Sequence, residues 1–332
     1  MGLSSGADPE AVPGGIFAQP WWLEAVAPRS WDAVTIEKDG TLIARLPYVI
    51  KRHRGRNYVI MPPLTPHLGP WLRPFPGKNP SKSAAEKKIL TELIDRLPAF
   101  DTFTQHFHPS VSNWLPFYWR GFQQTTRYTY IIESLGDLTA VWDGMAANLR
   151  RNVRNAKEWL IVRDDLGLDA FLNLNEKTFA RQGLPMPYGR DFVARLDEAC
   201  SRQRCRRILF AEDAQGRVHA GAYFVWDSHA SYWLMSGGDP DLRSSGATSL
   251  LVWEAIQFAA TVTQSFDFVG SMIESVEHFF RTFGASQKPY LRVSKTNSPL
   301  VKIYDDLHAW LLLWRSSQSR SKPRIRESHS TR

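Results

Sequence analysis

YWLMSGGDPDLRSSGATSLLVWEAIQF, residues 232–258, joins a strand, a glycine-rich loop and a long apolar helix without interruption. Tyr232 to Ser236 favour a strand, Gly237 and Gly238 are expected to end it, and Asp239-Pro240 makes a turn. From Ala247 to Phe258 the apolar side chains cover most of the circumference, which predicts a buried helix. A helix starting just after a glycine has N–H groups without intrahelical partners, and its macrodipole adds about half a positive charge. With Arg243 in the preceding loop, this end suits a pyrophosphate or a phosphodiester. The plainer alternative makes Gly246 a turn residue, Ser244 or Ser245 an N-cap and Arg243 a surface charge.

Outward from this stretch, the pattern is mixed α/β. Upstream, Arg207 to Glu212, Val218 to Trp226 and Ala230 to Gly237 read as an antiparallel meander, preceded by helices over 138–160, 168–181 and 192–202. Arg150, Arg154 and Lys157 share a face of the first helix, either as a solvated stripe or as a contact to phosphates. Downstream come a strand over 265–269, a helix over 275–283 capped by Gly284, a strand over 290–294 and an amphipathic helix over 300–314.

The first half opens with a loose leader, residues 1–16, and a short amphipathic helix containing Trp21 and Trp22. Strands over 31–37 and 41–50 flank a Lys38-Asp39-Gly40 turn, a strong hairpin signal. A strand over 58–61 leads into MPPLTPHLGPW, whose prolines exclude regular structure and make it a brace or the wall of a cleft. A helix over 84–97 and strands over 101–108 and 122–133 complete this half. His106 and His108 fall on one face of their strand. No third ligand stands near them, so no metal site is expected.

The chain has 332 residues, enough for two ordinary domains, and 13 tryptophans. Its formal charge is +8, of which +5 lies in the serine- and arginine-rich residues 315–332, so the high pI is no argument for nucleic-acid binding. No run approaches a transmembrane span and the leader contains Asp8, Glu10 and prolines, which makes cytosolic residence without membrane insertion the expectation. Cys200 and Cys205 match neither a zinc nor a redox spacing. Nothing fixes an oligomeric state.

Helix, meander, anion-loop helix, strand, helix and strand is the order of the GNAT acyltransferase core. The stretches AGAYFVWDSHASYWLMSGGDPDLRSSGATSLLVWEAIQFA, FDFVGS, FFRTFGASQKPY, NLRRNVRNAKEWL and QGLPMPYGRDFVARLD resemble the FemAB-like or BioF2-like group of that superfamily over roughly residues 17–296. The resemblance implies an α/β (α+β) fold of tandem GNAT-like halves, each a mixed, largely antiparallel sheet flanked by helices. Residues 17–135 would form a degenerate first half and 136–296 the donor-binding half. A helix over 297–314 and a basic tail over 315–332 would follow.

Carried over residue by residue, the GNAT pyrophosphate pattern falls on Arg243, Gly246 and Thr248, with Ser245 and Ala247 between them. Thr248 departs from the small residue of the pattern. Ser236, Gly237 and Gly238 would serve the pantetheine arm of acetyl-CoA or another acyl-CoA. Relatives in the FemAB branch use aminoacyl-tRNA instead, so tRNA is the alternative donor and the Arg150 to Lys157 stripe a contact for it. The acceptor implied is a small molecule bearing an amine.

Catalysis by either donor needs a base for the ammonium and a proton for the leaving group. Asp267, between Phe266 and Phe268, is the first candidate for the base or for binding the amine, with Glu274 and Glu277 as replacements, and Tyr290 the candidate proton donor. Gln182, Tyr188, His67 and Trp71, on the two proline-rich loops, are candidates for acceptor contact. A catalytically silent GNAT-like binding module is the remaining alternative. Hydrolase, kinase and metalloprotease motifs are absent.

Overall fold

The computed structural model describes residues 12–75, 79–270 and 272–299, so the expected helix over 300–314, the basic tail and most of the leader lie outside the described residues. A 3-10 turn, Ile16–Ala18, leads into α1 (Pro20–Val26), and β1 (Trp31–Lys38) and β2 (Thr41–His53) follow. Asp39 and Gly40 both take positive φ, 52° and 69°, as the hairpin turn requires. β3 (Arg56–Ile60), β4 (Trp71–Leu72), α2 (Asn79–Asp95), β5 (Thr102–His106), α3 (Leu115–Trp119) and β6 (Gln123–Ile132) complete the first half.

The expected helix over 138–160 is instead three elements: α4 (Leu138–Gly144), α5 (Ala147–Lys157) and β7 (Leu160–Arg163). Asp137 caps α4, accepting from the N–H groups of Thr139 and Ala140. The break has a packing cause. Met145 is extended and buried, the Ala146 N–H bonds the Thr282 carbonyl, and the backbone at Gly144 lies so close to Gly284 that a Cβ there would be 2.6 Å from the Gly144 oxygen. Continuing the helix would pull Met145 out of the core.

Then come α6 (Gly167–Arg181), α7 (Arg190–Arg202), β8 (Arg206–Asp213), β9 (Val218–Trp226) and β10 (Ala230–Gly238). After the 3-10 turn Arg243–Ser245 follow α8 (Ala247–Ala259), β11 (Ser265–Asp267), α9 (Glu274–Arg281) and β12 (Ser286–Thr296). β11 stops two residues earlier than expected because Val269 and Gly270 turn with φ of 63° and 72°.

Eleven strands lie in one sheet in the order β1-β2-β3-β5-β12-β6-β11-β10-β9-β8-β7, with β4 added on β2. β12, last in sequence, sits between β5 and β6, and β6 pairs with β11. The two halves of the chain are therefore interleaved at the centre of the sheet. One face of the second half is covered by α5 and α8, with Phe266, Phe268 and Trp233 beneath them; the other by α1, α6 and α7, with Tyr223, Tyr232 and Met235. A third cluster, under α2 and α3, fills the first half. Among the described residues no helix is long and apolar enough to cross a membrane.

Gly237 does not end its strand: β10 runs on through Gly238, paired with β9. The glycine serves helix approach. Gly237 and Gly221 are register partners, and α6 lies so close over them that a Cβ on Gly237 would be 2.4 Å from the Asn175 nitrogen. Backbone cannot yield there as a side chain tip can. Gly237→Ala is expected to destabilise the protein by about 1–3 kcal/mol, whereas Gly144→Ala, where an added Cβ meets nothing within 4 Å, stays within about 0.5 kcal/mol. Urea denaturation of the two variants checks the contrast.

Candidate active site

β10 and β11 run parallel and in register from Ala230↔Ser265 to Tyr232↔Asp267, and there the pairing stops. β10 continues six residues to Gly238 along β9 while the other chain turns away. Asp267 thus stands at a fork in the sheet. Alternation sends Phe266 and Phe268 into the α8 side and Asp267 to the opposite face, where its side chain is 2% exposed.

Its carboxylate is tied from two directions. Thr129 Oγ1 donates to Oδ1 at 2.5 Å and the Val269 N–H donates to the same oxygen at 2.7 Å. Oδ2 faces His67 Nε2 at 3.8 Å, too long for a hydrogen bond. His67 is 3% exposed and neither ring nitrogen has a hydrogen-bond partner. A buried imidazole left in this state is uncommon in a core, and it lies beside a buried carboxylate.

Tyr290 reaches the same place from β12. It pairs with Arg127 of β6, on the face that carries Thr129, and its hydroxyl accepts from Arg127 Nε at 3.2 Å. Its ring lies 5.0 Å from that of His67 and 5.8 Å from that of His106, and His108 lies 5.7 Å from His67. Both same-face histidines of the sequence therefore belong to this cluster. Burial, followed by the charges of Arg127, His67 and Arg292, pushes His106 down to about 4, so it is neutral at pH 7. Among the described residues no three His, Cys, Asp or Glu side chains form a group that could hold a metal ion.

Glu277 lies on the other side of the sheet. Its carboxylate accepts from Tyr130 Oη at 2.5 Å and from Arg281, and these contacts hold it below the usual carboxylate range. Thr129 and Tyr130 are consecutive in β6 and point to opposite faces, so the group bonded to one is screened from the group bonded to the other. Glu274, the first residue of α9, is exposed and has no contact with the Asp267 cluster.

The loop before α8 has the expected conformation. Gly246 is left-handed (φ 78°), and a Cβ there would meet the Asn152 carbonyl at 3.1 Å and Ala156 at 3.2 Å, so glycine is required by conformation and by α5 alike. The Ala247 N–H donates to Ser245 Oγ at 3.3 Å. Thr248 is half-buried; Arg243 is exposed and has no partner among the described residues. The stripe on α5 is engaged within the fold: Arg150 pairs with Asp143, Lys157 with Glu254, and Arg154 lies over the Trp142 ring.

On β10, the Ser236 carbonyl accepts from Asn175 Nδ2 at 2.7 Å and the Gly238 N–H donates to Thr178 Oγ1 at 2.9 Å. Tyr188 donates to Asn175 Oδ1 at 3.1 Å, linking the second proline-rich loop to the open strand; burial pushes its phenol up to about 12. Gln182 caps α6, exposed, with no contact to the cluster. Trp71 lines a cavity of about 270 Å³ that also reaches His108 and Tyr232.

Sequence reasoning missed Thr129, Arg127 and Asn175. Asn175 carried a signal, a polar residue at a core position among Phe171, Leu172 and Leu174 of an amphipathic helix. Thr129 and Arg127 carried none.

Residues 144–281 match the family model described as an acetyltransferase (GNAT) domain. That span includes the fork, the α8 loop and Asp267, and excludes His67, Thr129 and Tyr290. The fold is similar to that of FemX, with 13% identity, 89% of this chain and 96% of that chain covered and a TM-score of 0.65. It is also similar to a domain ascribed to a lysylphosphatidylglycerol synthetase of Agrobacterium fabrum, with 11% identity, 90% and 92% covered and a TM-score of 0.50. A conserved protein of unknown function from Bacteroides thetaiotaomicron shares 12% identity over 83% and 90% of the chains, also at 0.50. The search of curated proteins finds no match. The architecture is a mixed α/β sheet flanked by helices, with the fold of GNAT-type acyltransferases.

His106 makes the cluster sensitive to acid. Its folded value lies below that of the unfolded chain, about 6.5, so its contribution is intact above that pH and is lost as pH falls towards 4. The loss amounts to at most about 3 kcal/mol. Denaturant melts at pH 7 and 4.5 are expected to show a smaller acid loss in His106→Gln than in the wild type.

Proposed function

We propose that the protein is an N-acyltransferase of the FemAB-like group that transfers an acyl group from acyl-coenzyme A to the amine of a small acceptor. The observation that carries this reading is the fork at Tyr232↔Asp267, where a buried carboxylate stands at the parting of two parallel strands inside the GNAT-matched segment. The coenzyme would supply an activated acyl carbon. The left-handed Gly246, the first N–H groups of α8 and the unpaired Arg243 suit its pyrophosphate, and Thr248 is half-buried beside them.

In this reading the acceptor amine approaches from the His67 side of the sheet. Asp267 takes the proton of the ammonium, with His67 beside its Oδ2. Nitrogen bonds to the acyl carbon, the carbon–sulfur bond breaks, the Tyr290 hydroxyl gives its proton to the leaving sulfur, and the second proton of the nitrogen passes to the Tyr290 oxygen, which leaves a neutral amide and a free thiol. Tyr290 is suited to this because Arg127 donates to its oxygen, which leaves the phenol proton free. Thr129 and the Val269 N–H keep the carboxylate pointing into the cluster.

Calorimetric titration with acetyl-coenzyme A is expected to show micromolar binding that weakens tenfold or more in Arg243→Ala, the scale of one charge-assisted contact of ~1.5 to 3 kcal/mol. Absence of binding would discard the coenzyme and direct the same titration to charged tRNA. With a donor and an acceptor in hand, Asp267→Asn is expected to lower kcat about 100-fold or more. Glu277→Gln should leave kcat within about threefold, because its carboxylate lies across the sheet. Unchanged turnover in Asp267→Asn would remove the assignment of the base.

A further inference from the structure

The cavity of about 270 Å³ beside the cluster has a wall that none of the roles above uses. Arg45 projects into it from β2, in the middle of the apolar run LIARLPYVI, and is 4% exposed. One guanidinium nitrogen, Nη1, donates to the Ala18 carbonyl at 2.6 Å. Among the described residues no carboxylate pairs with it, and Nε and Nη2 have no hydrogen-bond partner. Asp32 acts on it only at a distance and is itself bonded to the Ala33 N–H and to Tyr48. Burial accordingly pushes Arg45 down to about 10, against the weaker opposing pull of Asp32. A buried, unpaired guanidinium is costly unless something supplies the missing acceptors.

Another wall of the same cavity carries Asp227. Its oxygens accept from the N–H groups of Ile16, His229 and Ala230 and from the Tyr232 hydroxyl; among the described residues no lysine or arginine pairs with it, and the imidazoles near it are the exposed His229 at 3.9 Å and His108, which burial pushes down to about 4. Its hydrogen-bond partners are all neutral dipoles. Tyr232 connects this wall to the fork, because its hydroxyl bonds Asp227 while its register partner is Asp267. The cavity is therefore polarised, with a cationic wall at Arg45 and an anionic wall towards the fork. Between them the lining is mostly apolar, from Pro47, Leu68, Trp71 and Val111.

We propose that this cavity binds a small zwitterion, an apolar α-amino acid or its close analogue, with the carboxylate on the free edge of Arg45 and the amine directed past Asp227 towards the fork. The planar guanidinium offers two parallel N–H donors to a carboxylate. The volume suits a ligand the bulk of a single amino acid. This assignment rests on the acyltransferase reading for its purpose, since the bound amine becomes the acceptor. Its test is a binding measurement that needs no donor.

The probes are L-phenylalanine and phenethylamine, which differ only in the carboxylate, with inorganic phosphate as the third. Calorimetry on the full-length chain is expected to show the amino acid binding at least tenfold tighter than the amine. That preference should vanish in Arg45→Gln and survive in part in Arg45→Lys, with thermal melts confirming that both variants are folded. Equal affinity for the two organic probes, no binding of either, or a preference that persists in Arg45→Gln would overturn the proposal. Phosphate binding tighter than the amino acid would overturn the carboxylate assignment in favour of a phosphate site. A preference that holds in a protein without acyl transfer would sink the enzymatic reading and leave the pocket standing.

Discussion

The approach of α6 to a pair of side-chain-free positions governs the geometry of the second half. Gly221 and Gly237 face each other across β9 and β10, and α6 occupies the space their side chains would fill. Only at that distance can Asn175 reach the Ser236 carbonyl and Thr178 the Gly238 N–H. Those bonds satisfy backbone groups on a stretch of β10 that has lost its neighbour on the β11 side. An unpaired buried strand edge is unfavourable, and the helix contributes the replacement partners. The fork is thus held open by side chains from α6, at a point where water would otherwise be needed.

The second constraint is topological. Placing β12 between β5 and β6 brings Tyr290 next to His106 and Arg127, and the β6–β11 pairing brings Thr129 to Asp267. His67 arrives from a proline-rich loop held by an isolated bridge between Leu68 and Phe107 and by the Trp22 indole, which donates to Thr65. Every side chain of the cluster except Asp267 comes from outside the GNAT-matched residues. Neither half of the chain could assemble this site without the other.

This division explains what could be seen in the sequence. The strand, loop and helix of 230–259 were legible because each depends on local rules: β-favouring residues, a left-handed glycine, an apolar period. Asp267 was legible because a carboxylate between two phenylalanines in a strand must face away from them. Local rules also misled. Gly237 and Gly238 have the composition of a strand end, but a close helix prefers glycine in mid-strand equally well. The run from Leu138 to Leu160 has a helical period, and only the packing of Met145 and the Gly284 turn interrupts it. The partners of Asp267 lie 138 and 200 residues away in sequence, with the first of these distances set by the Thr129 bond, and no periodicity encodes such a pairing.

Arg45 and His67 show how polar groups inside a fold differ in meaning. Arg217 and His219 also crowd a carboxylate, Asp213, but there the carboxylate receives four hydrogen bonds, and the Arg217 side chain reaches solvent. There the carboxylate is fully engaged and one nitrogen of His219 is bonded to it, with only Nδ1 left without a partner, so the cluster serves the structure of a turn. His67 has two ring nitrogens without partners, and Arg45 has a guanidinium edge without an acceptor, each buried and each next to the fork or to the cavity that adjoins it. An apolar side chain of similar volume at either position would cost less to bury. Two uncompensated groups within one region of the sheet are consistent with a surface whose complement arrives from outside the chain.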